Sequence, residues 1–345
     1  MDKIHIKSLT IELLTEWLIQ NDIKPYRAKQ IFKWIYKNQT DDFQYMTDIS
    51  MPLRQKLSEN FTIPYIKIAQ VQTSTDGSKK YAFKLIDNNY IESVLIPEKN
   101  HFTLCISSQV GCAQGCKFCL TAKQGFIRNL THGEIVSQVQ AVMKDIKTND
   151  TKLPLSNIVF MGMGEPLSNY DNVIRAIDIF IDSSYGFQFS MRKITLSTCG
   201  IVPKMIEFGK HSSIQLAVSL NAADDNTRDL LMPINKKYSL KQLIEVCRNY
   251  PLKSGRRITM EYILIKDIND STQHAKRLCE LLRGFRSKIN LIPFNSHPKS
   301  KFERPCKSNI EAFQNVLIKN NYTAIIRQSK GSDISAACGQ LSSEM

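Results

Sequence analysis

The sequence predicts an α/β fold: a partial (β/α)6, TIM-like barrel, open on one side, preceded by a small helical domain and a short antiparallel β linker. Three observations predict it. From residue 103 onward, strand-length apolar runs alternate with helix-length amphipathic runs, giving six strands. Residues 9–60 show helical spacing only, and residues 66–98 alternate with the two-residue period of a half-buried sheet. Strands separated by helices form a parallel sheet with right-handed crossovers, and such barrels carry their chemistry at the C-terminal strand ends. The expected division is 1–62 for the helical domain, 63–100 for the linker, and 101–345 for the barrel with a C-terminal extension.

In the helical domain, Leu13, Leu14, Trp17 and Leu18 recur at helical spacing, as do Ile31, Phe32, Trp34 and Ile35, then Leu53 and Leu57. Asn21-Asp22 and the polar stretch 38–42 interrupt them as loops. In the linker, 66–71 and 81–86 alternate around an Asp76-Gly77 turn, and 91–96 follows. The barrel strands are expected at 102–106, 158–161, 194–196, 214–219, 259–264 and 289–292. Helices are expected at 133–146, 170–182, 239–249 and 272–284. No internal repeat or long low-complexity linker occurs.

The chain has 345 residues, is 42% hydrophobic and carries a formal charge of +14. That size supports a full core, and no run approaches the ~18 apolar residues of a membrane span. The first residues lack an apolar signal region, so a cytoplasmic location and mostly reduced cysteines are expected. The charge favours a polyanionic partner, RNA or DNA. It is uneven: residues 1–60 carry nine basic and eight acidic side chains, whereas 282–330 carry ten basic residues, Lys299 among them, against Glu303 and Glu311. An ordinary solvated face is the competing explanation.

Nine cysteines are present, and three of them, Cys112, Cys116 and Cys119, are spaced C-x3-C-x2-C. Three such thiolates hold three irons of a [4Fe–4S] cluster and leave the fourth without a protein ligand. Zinc is the main alternative, but it usually takes four ligands, and no second C-x2-C or His-x3–5-His pair is present. A disulfide framework is disfavoured by the odd cysteine count and the chain length. Further on, Met161-Gly162-Met163-Gly164-Glu165-Pro166 ends the second strand; its glycines admit a ligand to the backbone, and Glu165 can accept from an ammonium group. Near the C-terminus, Cys338 lies in Gly331–Leu341, a stretch too irregular for an obvious helix or strand. A buried structural cysteine is the plain alternative there.

The cysteine spacing resembles the signature of radical S-adenosylmethionine (SAM) enzymes, in which SAM occupies the open iron. The resemblance narrows to the RlmN/Cfr family of RNA methyltransferases and runs nearly the whole length. It rests on Lys24–Ala28, Ser107–Cys112, Gln124–Leu130, Met161–Pro166, Met232–Tyr238, Ile289–Asn295 and Ala336–Leu341. It implies a radical SAM barrel, with Cys112, Cys116 and Cys119 on the cluster. It implies SAM contacts from Gly164, Glu165, Ser197, Ser219, Leu220, Asn221 and Asn295. Asn221 departs from the family, which usually has histidine there; asparagine keeps the hydrogen bonding but carries no charge.

The resemblance also implies a reaction. A first SAM methylates Cys338, and a second yields a 5′-deoxyadenosyl radical that activates the S-methyl group. The methyl carbon then adds to C2 of an adenosine, tethering RNA to protein. Glu92 or Cys105 takes the C2 proton, and Cys105 resolves the adduct by attacking the Cys338 sulfur, forming a transient disulfide. Implied partners are 23S rRNA, tRNA and an electron donor such as a flavodoxin, with the enzyme a monomer. The helical domain would dock RNA, the basic C-terminal region would track its backbone near the barrel mouth, and the target base would leave its stack. C8 methylation of the same rRNA adenosine, another radical SAM reaction, and RNA binding around a structural metal are the alternatives. Cys199, Cys247, Cys279 and Cys306 have no implied task.

Overall fold

The computed structural model describes residues 3–148, 153–297 and 300–342; Lys299 of the basic run lies outside them. The N-terminal unit consists of α1 (Ile11–Gln20), α2 (Arg27–Tyr36) and α3 (Met51–Asn60), clasped by a parallel pairing of β1 (Ile4–His5) with β2 (Phe61–Thr62). Thr10 caps α1 by accepting from the Leu13 N–H. The buried stripe is Leu14 and Leu18 on α1, Ile31, Phe32, Ile35 and Tyr36 on α2, and Leu53 and Leu57 on α3. Leu13, by contrast, faces solvent and is 46% exposed. Lys7 fastens this unit to the main body: its ammonium donates to Pro64 O (2.9 Å), Ser137 Oγ (3.3 Å) and Gln140 Oε1 (2.6 Å).

The main body is one ten-stranded sheet. Antiparallel strands β3 (Lys67–Thr73), β4 (Lys79–Lys84) and β5 (Tyr90–Pro97) lead into β6 (Phe102–Cys105). A separate hairpin of β7 (Gln109–Gly111) and β8 (Phe126–Asn129) flanks the short helix α4 (Leu120–Lys123). Strands β9 (Leu155–Phe160), β10 (Ile194–Thr198), β11 (Gln215–Ser219), β12 (Ile258–Leu264), β13 (Ser287–Pro293) and β14 (Ala324–Ile326) then continue from β6, all parallel. Their crossovers carry α5 (His132–Thr148), α6 (Tyr170–Ile181), α7 (Val202–His211), α8 (Asp225–Leu231), α9 (Leu240–Arg248), α10 (Thr272–Leu281) and α11 (Lys307–Lys319). Strand β12 is buried at every residue but Ile263, as expected where helices cover the outer face and packed side chains the inner one.

The six expected parallel strands are present, and β14 adds a seventh. The linker strands are not a separate sheet; β5 pairs with β6 and makes them the barrel's antiparallel edge. Side chains from β5, β6 and β9–β14 border one cavity, so the sheet is curled, while its ends, β3 and β14, do not pair with each other. The C-terminal tail bridges that opening. The Asp76 carboxylate accepts from Gly331 N–H (2.9 Å), and Asp333 accepts from Ser74 Oγ (2.6 Å) and Thr75 N–H (3.0 Å). Among the described residues no helix is long and apolar enough to cross a membrane.

Candidate active site

The cysteine loop runs from the end of β7 to the start of α4. Gly111 sets its entry: at φ +72° a Cβ there would lie 1.9 Å from Gly125 O, so only glycine lets the hairpin close. Cys112 N–H donates to Gly125 O (2.8 Å), and Leu120 N–H to Gly339 O (2.8 Å), which lays the tail against the loop. Phe118 anchors the loop in a small apolar cluster with Cys199, Leu231, Met232 and Phe294. All three cysteines line one cavity at the C-terminal strand ends, where the fold predicts chemistry. Burial, with the neighbouring thiols adding to it, pushes Cys112 up to about 12 and Cys116 further.

Gly164, Glu165, Ser197, Ser219 and Asn221 border the same cavity. Gly164 has φ +96°, and a Cβ there would meet Gln109 Cβ at 2.5 Å, so strand end and hairpin touch backbone to side chain. Gln109 Oε1 in turn accepts from Glu165 N–H (2.9 Å). The Glu165 carboxylate accepts from Leu167 N–H (3.0 Å), Thr198 Oγ1 (2.7 Å) and Cys199 N–H (2.7 Å). Burial still raises its pKa, the three donors opposing. A buried carboxylate of this kind gains from a cationic ligand group. Asn221 adopts the left-handed conformation (φ +60°) that asparagine tolerates well. Its amide accepts from Ile263 N–H (2.9 Å) and donates to Met232 Sδ (3.1 Å). Leu220 is fully buried and is not among the residues that line the cavity.

A second cavity, about 510 Å³, lies in the lumen beneath the first, and Cys105 opens onto it from β6. Cys338 borders both cavities. Cys338 is exposed where it borders these cavities, but its place inside the barrel still desolvates the thiol and raises it to about 11, with Glu261 adding and Arg327 opposing; Cys105, which is buried, is higher still. The Cys338 strap is held by its neighbours: Asn295 Nδ2 donates to Cys338 O (3.2 Å), Gln340 Nε2 to Ser296 O (2.8 Å), and Thr121 Oγ1 to Leu341 O (2.7 Å). Asn295 thus lines the lower cavity and pins the cysteine's backbone; it does not line the upper one. Glu92 lines neither. It is buried on β5, ion-paired with Lys80 (3.1 Å), and accepts from Ser342 N–H (2.8 Å).

Two residues escaped sequence reasoning. Arg228, wholly buried, donates to Leu220 O (3.1 Å), Cys199 O (2.7 Å), Ser219 O (3.3 Å) and Asn235 Oδ1 (3.0 Å), fixing two strand ends of the upper cavity. Glu261 on β12 borders both cavities and accepts from Ser197 Oγ (2.6 Å). An acidic residue inside the apolar run Ile258–Leu264 was the available signal.

The donor set fits an iron–sulfur cluster. Among the described residues no group of three His, Cys, Asp or Glu converges as one metal ion would require. A cubane would take each thiolate at a different iron, and metal binding displaces protons such as those that burial favours on Cys112 and Cys116. A curled parallel sheet with three such thiolates at its C-terminal rim, beside a Gly-Glu turn, defines a radical SAM enzyme.

Comparison with known proteins agrees. Residues 4–63 match the ribosomal RNA large subunit methyltransferase N-terminal domain, and residues 106–279 match the radical SAM superfamily. The chain is 53% identical over 341 residues to the dual-specificity RNA methyltransferase RlmN of Desulfosudis oleivorans, covering 99% of this chain and 91% of that protein. It is 49% identical to the RlmN of Geotalea uraniireducens, covering 99% and 97%. The crystal structure of a radical SAM methyltransferase from Sphaerobacter thermophilus superposes with a TM-score of 0.92 at 40% identity, covering 99% of this chain and all of that one. The chain belongs to the RlmN family of radical SAM methyltransferases.

Proposed function

We propose that the chain methylates C2 of one adenosine in 23S rRNA and one beside the tRNA anticodon, consuming two SAM per methyl transferred. The observation that carries this reading is the place of Cys338, on the wall shared by the two cavities, with Cys105 opening onto the lower one. A methyl carrier must meet SAM on one side and the RNA base on the other.

Cys112, Cys116 and Cys119 would hold a [4Fe–4S] cluster, which supplies the electron that opens the second SAM. The protein's own residues do the rest. Glu165 offers its buried carboxylate to the amino group of SAM; Ser197, Ser219 and Asn221 contact the rest of the ligand, and Gly164 admits it to the backbone. The Cys338 sulfur takes the first methyl by displacement, releasing S-adenosylhomocysteine. The 5′-deoxyadenosyl radical from the second SAM takes one hydrogen atom from that methyl and becomes 5′-deoxyadenosine, and the methyl carbon then bonds to C2 of adenine, an electron-poor position without a lone pair to attack SAM itself. The C2 proton goes to Cys105, which opens onto the lower cavity, or to Glu92, which lines neither cavity but whose carboxyl burial raises, with Ser342 N–H and Lys80 opposing. Cys105 then attacks the Cys338 sulfur and breaks its bond to the transferred carbon, which takes up a proton to complete the methyl group; the disulfide forms, the odd electron of the radical step leaves by the route electrons entered, and methylated RNA departs. A small reductant protein such as a flavodoxin supplies electrons, and the enzyme acts as a cytoplasmic monomer.

Two variants test the assignment. Cys338→Ala should abolish turnover, because no carrier remains; multiple turnover by it would sink the scheme. Cys105→Ala should accumulate protein joined covalently to RNA on denaturing gels. Absence of that species in a variant that still methylates Cys338 and cleaves SAM would remove Cys105 from the resolving role.

A further inference from the structure

The barrel has a third recess, at the end opposite the cysteine loop. Its walls come from the N-terminal ends of the parallel strands: Arg192 precedes β10, Gln215 opens β11, the loop 253–257 precedes β12, and Lys288 lies near the start of β13. Gln215 and Ser219, which borders the upper cavity, are four residues apart on β11, or about 13 Å along the strand. The recess is therefore separate from the upper cavity, and it shares only Lys288 with the lower one.

Five cationic side chains face it: Arg192, Lys253, Arg256, Arg257 and Lys288, and no carboxylate is among its lining residues. None of the five has a carboxylate within ion-pair distance among the described residues. Arg256 donates to Ser213 O and Arg257 to Thr323 Oγ1, so both guanidinium groups are aimed by neutral partners. Lys288 is half-buried, its pKa lowered by that burial and by Arg257 and Arg327, with Glu261 opposing. Converging like charges without a counterion destabilise the fold, and an anion in the recess would relieve them.

We infer that this recess is an RNA-backbone site, which grips phosphodiesters of the substrate at the barrel end opposite the cysteine loop. The inference rests on RNA being the substrate. Polyphosphate character follows from the layout: Arg192, Lys253 and Arg257 are exposed around an open rim, a spread that matches successive phosphates along a strand better than one enclosed anion. The basic count of residues 282–330 did not reveal it, because four of its five cations come from outside that stretch.

The test uses Arg192→Gln/Lys253→Gln, with Lys210→Gln/Lys241→Gln as a control of equal charge loss; all four side chains are exposed. Affinity of the cluster-loaded protein for unmodified 23S rRNA fragment is measured across a salt series, and SAM-dependent methylation of Cys338 without RNA is measured in parallel. We expect the first variant to bind several-fold more weakly and its log–log salt slope to fall by about 1.5, as loss of two phosphate contacts requires. Methylation of Cys338 should be unchanged, and the control should retain nearly the full slope. An unchanged slope in the first variant overturns the site, as does an equal fall in both variants, which would be an effect of net charge alone. Failure of the unsubstituted protein to bind RNA would instead overturn the substrate reading.

Discussion

Single residues show how burial sets chemistry here. Glu165, Glu261 and Arg228 are charged groups held inside the barrel mouth, each with directed hydrogen bonds to backbone or hydroxyl partners. The sequence made Glu165 legible through its Gly-Glu context. It did not single out Arg228, because a lone arginine on a short helix has no pattern until the strand ends it joins are in place. Lys7 offers a test with a defined sign. Burial lowers its pKa from 10.5 to about 7, with Asp41 opposing. Between these values the unfolded chain binds a proton that the folded one resists. Lys7 therefore diminishes stability below about pH 7, and that cost disappears as pH rises toward 10.5. Urea unfolding should show stability rising across this window by at most about 1.4 kcal/mol per pH unit from this group. The increment should vanish in Lys7→Met; a variant with an unchanged pH slope would refute it.

Elements explain what the sequence left dark. Period and composition placed the six central strands and four of the helices between them, because each is buried by its own pattern; α7, α8 and α11 were not singled out. The three-residue strand β14 is too short to show a period, and the join of β5 to β6 is a pairing choice that no local pattern encodes. The tail is the clearest case. Residues 331–342 contain only one short 3-10 turn, yet they close the barrel's gap through Asp76 and Asp333 and lie against the cysteine loop at Gly339. Irregular segments are specified by partners distant in sequence, here more than 250 positions away. Asp76→Asn/Asp333→Asn should therefore free the Cys338 strap. We expect hydrogen exchange to accelerate several-fold across 331–341 and Cys338 methylation to slow, with little change in the exchange of β9–β13. Unchanged exchange in the tail would show that these carboxylates do not secure it.

At the scale of the whole molecule, the charge that the sequence displayed is rearranged by folding. The basic stretch 282–330 does not form one face: Arg327 and Lys330 turn to the lumen, Lys288 lies between the lumen and the basal recess, and Lys319 ends α11 on the outside. The resulting plan is a stack along the barrel axis, with the cysteine loop and the upper cavity above, Cys105 and Cys338 at the lumen, and cations at the base. That plan makes one central claim, that methyl groups pass from SAM through Cys338 to C2 of adenine. Its most direct test is anaerobic incubation of the cluster-loaded protein with SAM, reductant and unmodified 23S rRNA, followed by mass spectrometry of the digested nucleosides against standards. The account predicts 2-methyladenosine. An 8-methyladenosine product, or no methylated adenosine from protein with a verified cluster, would contradict it.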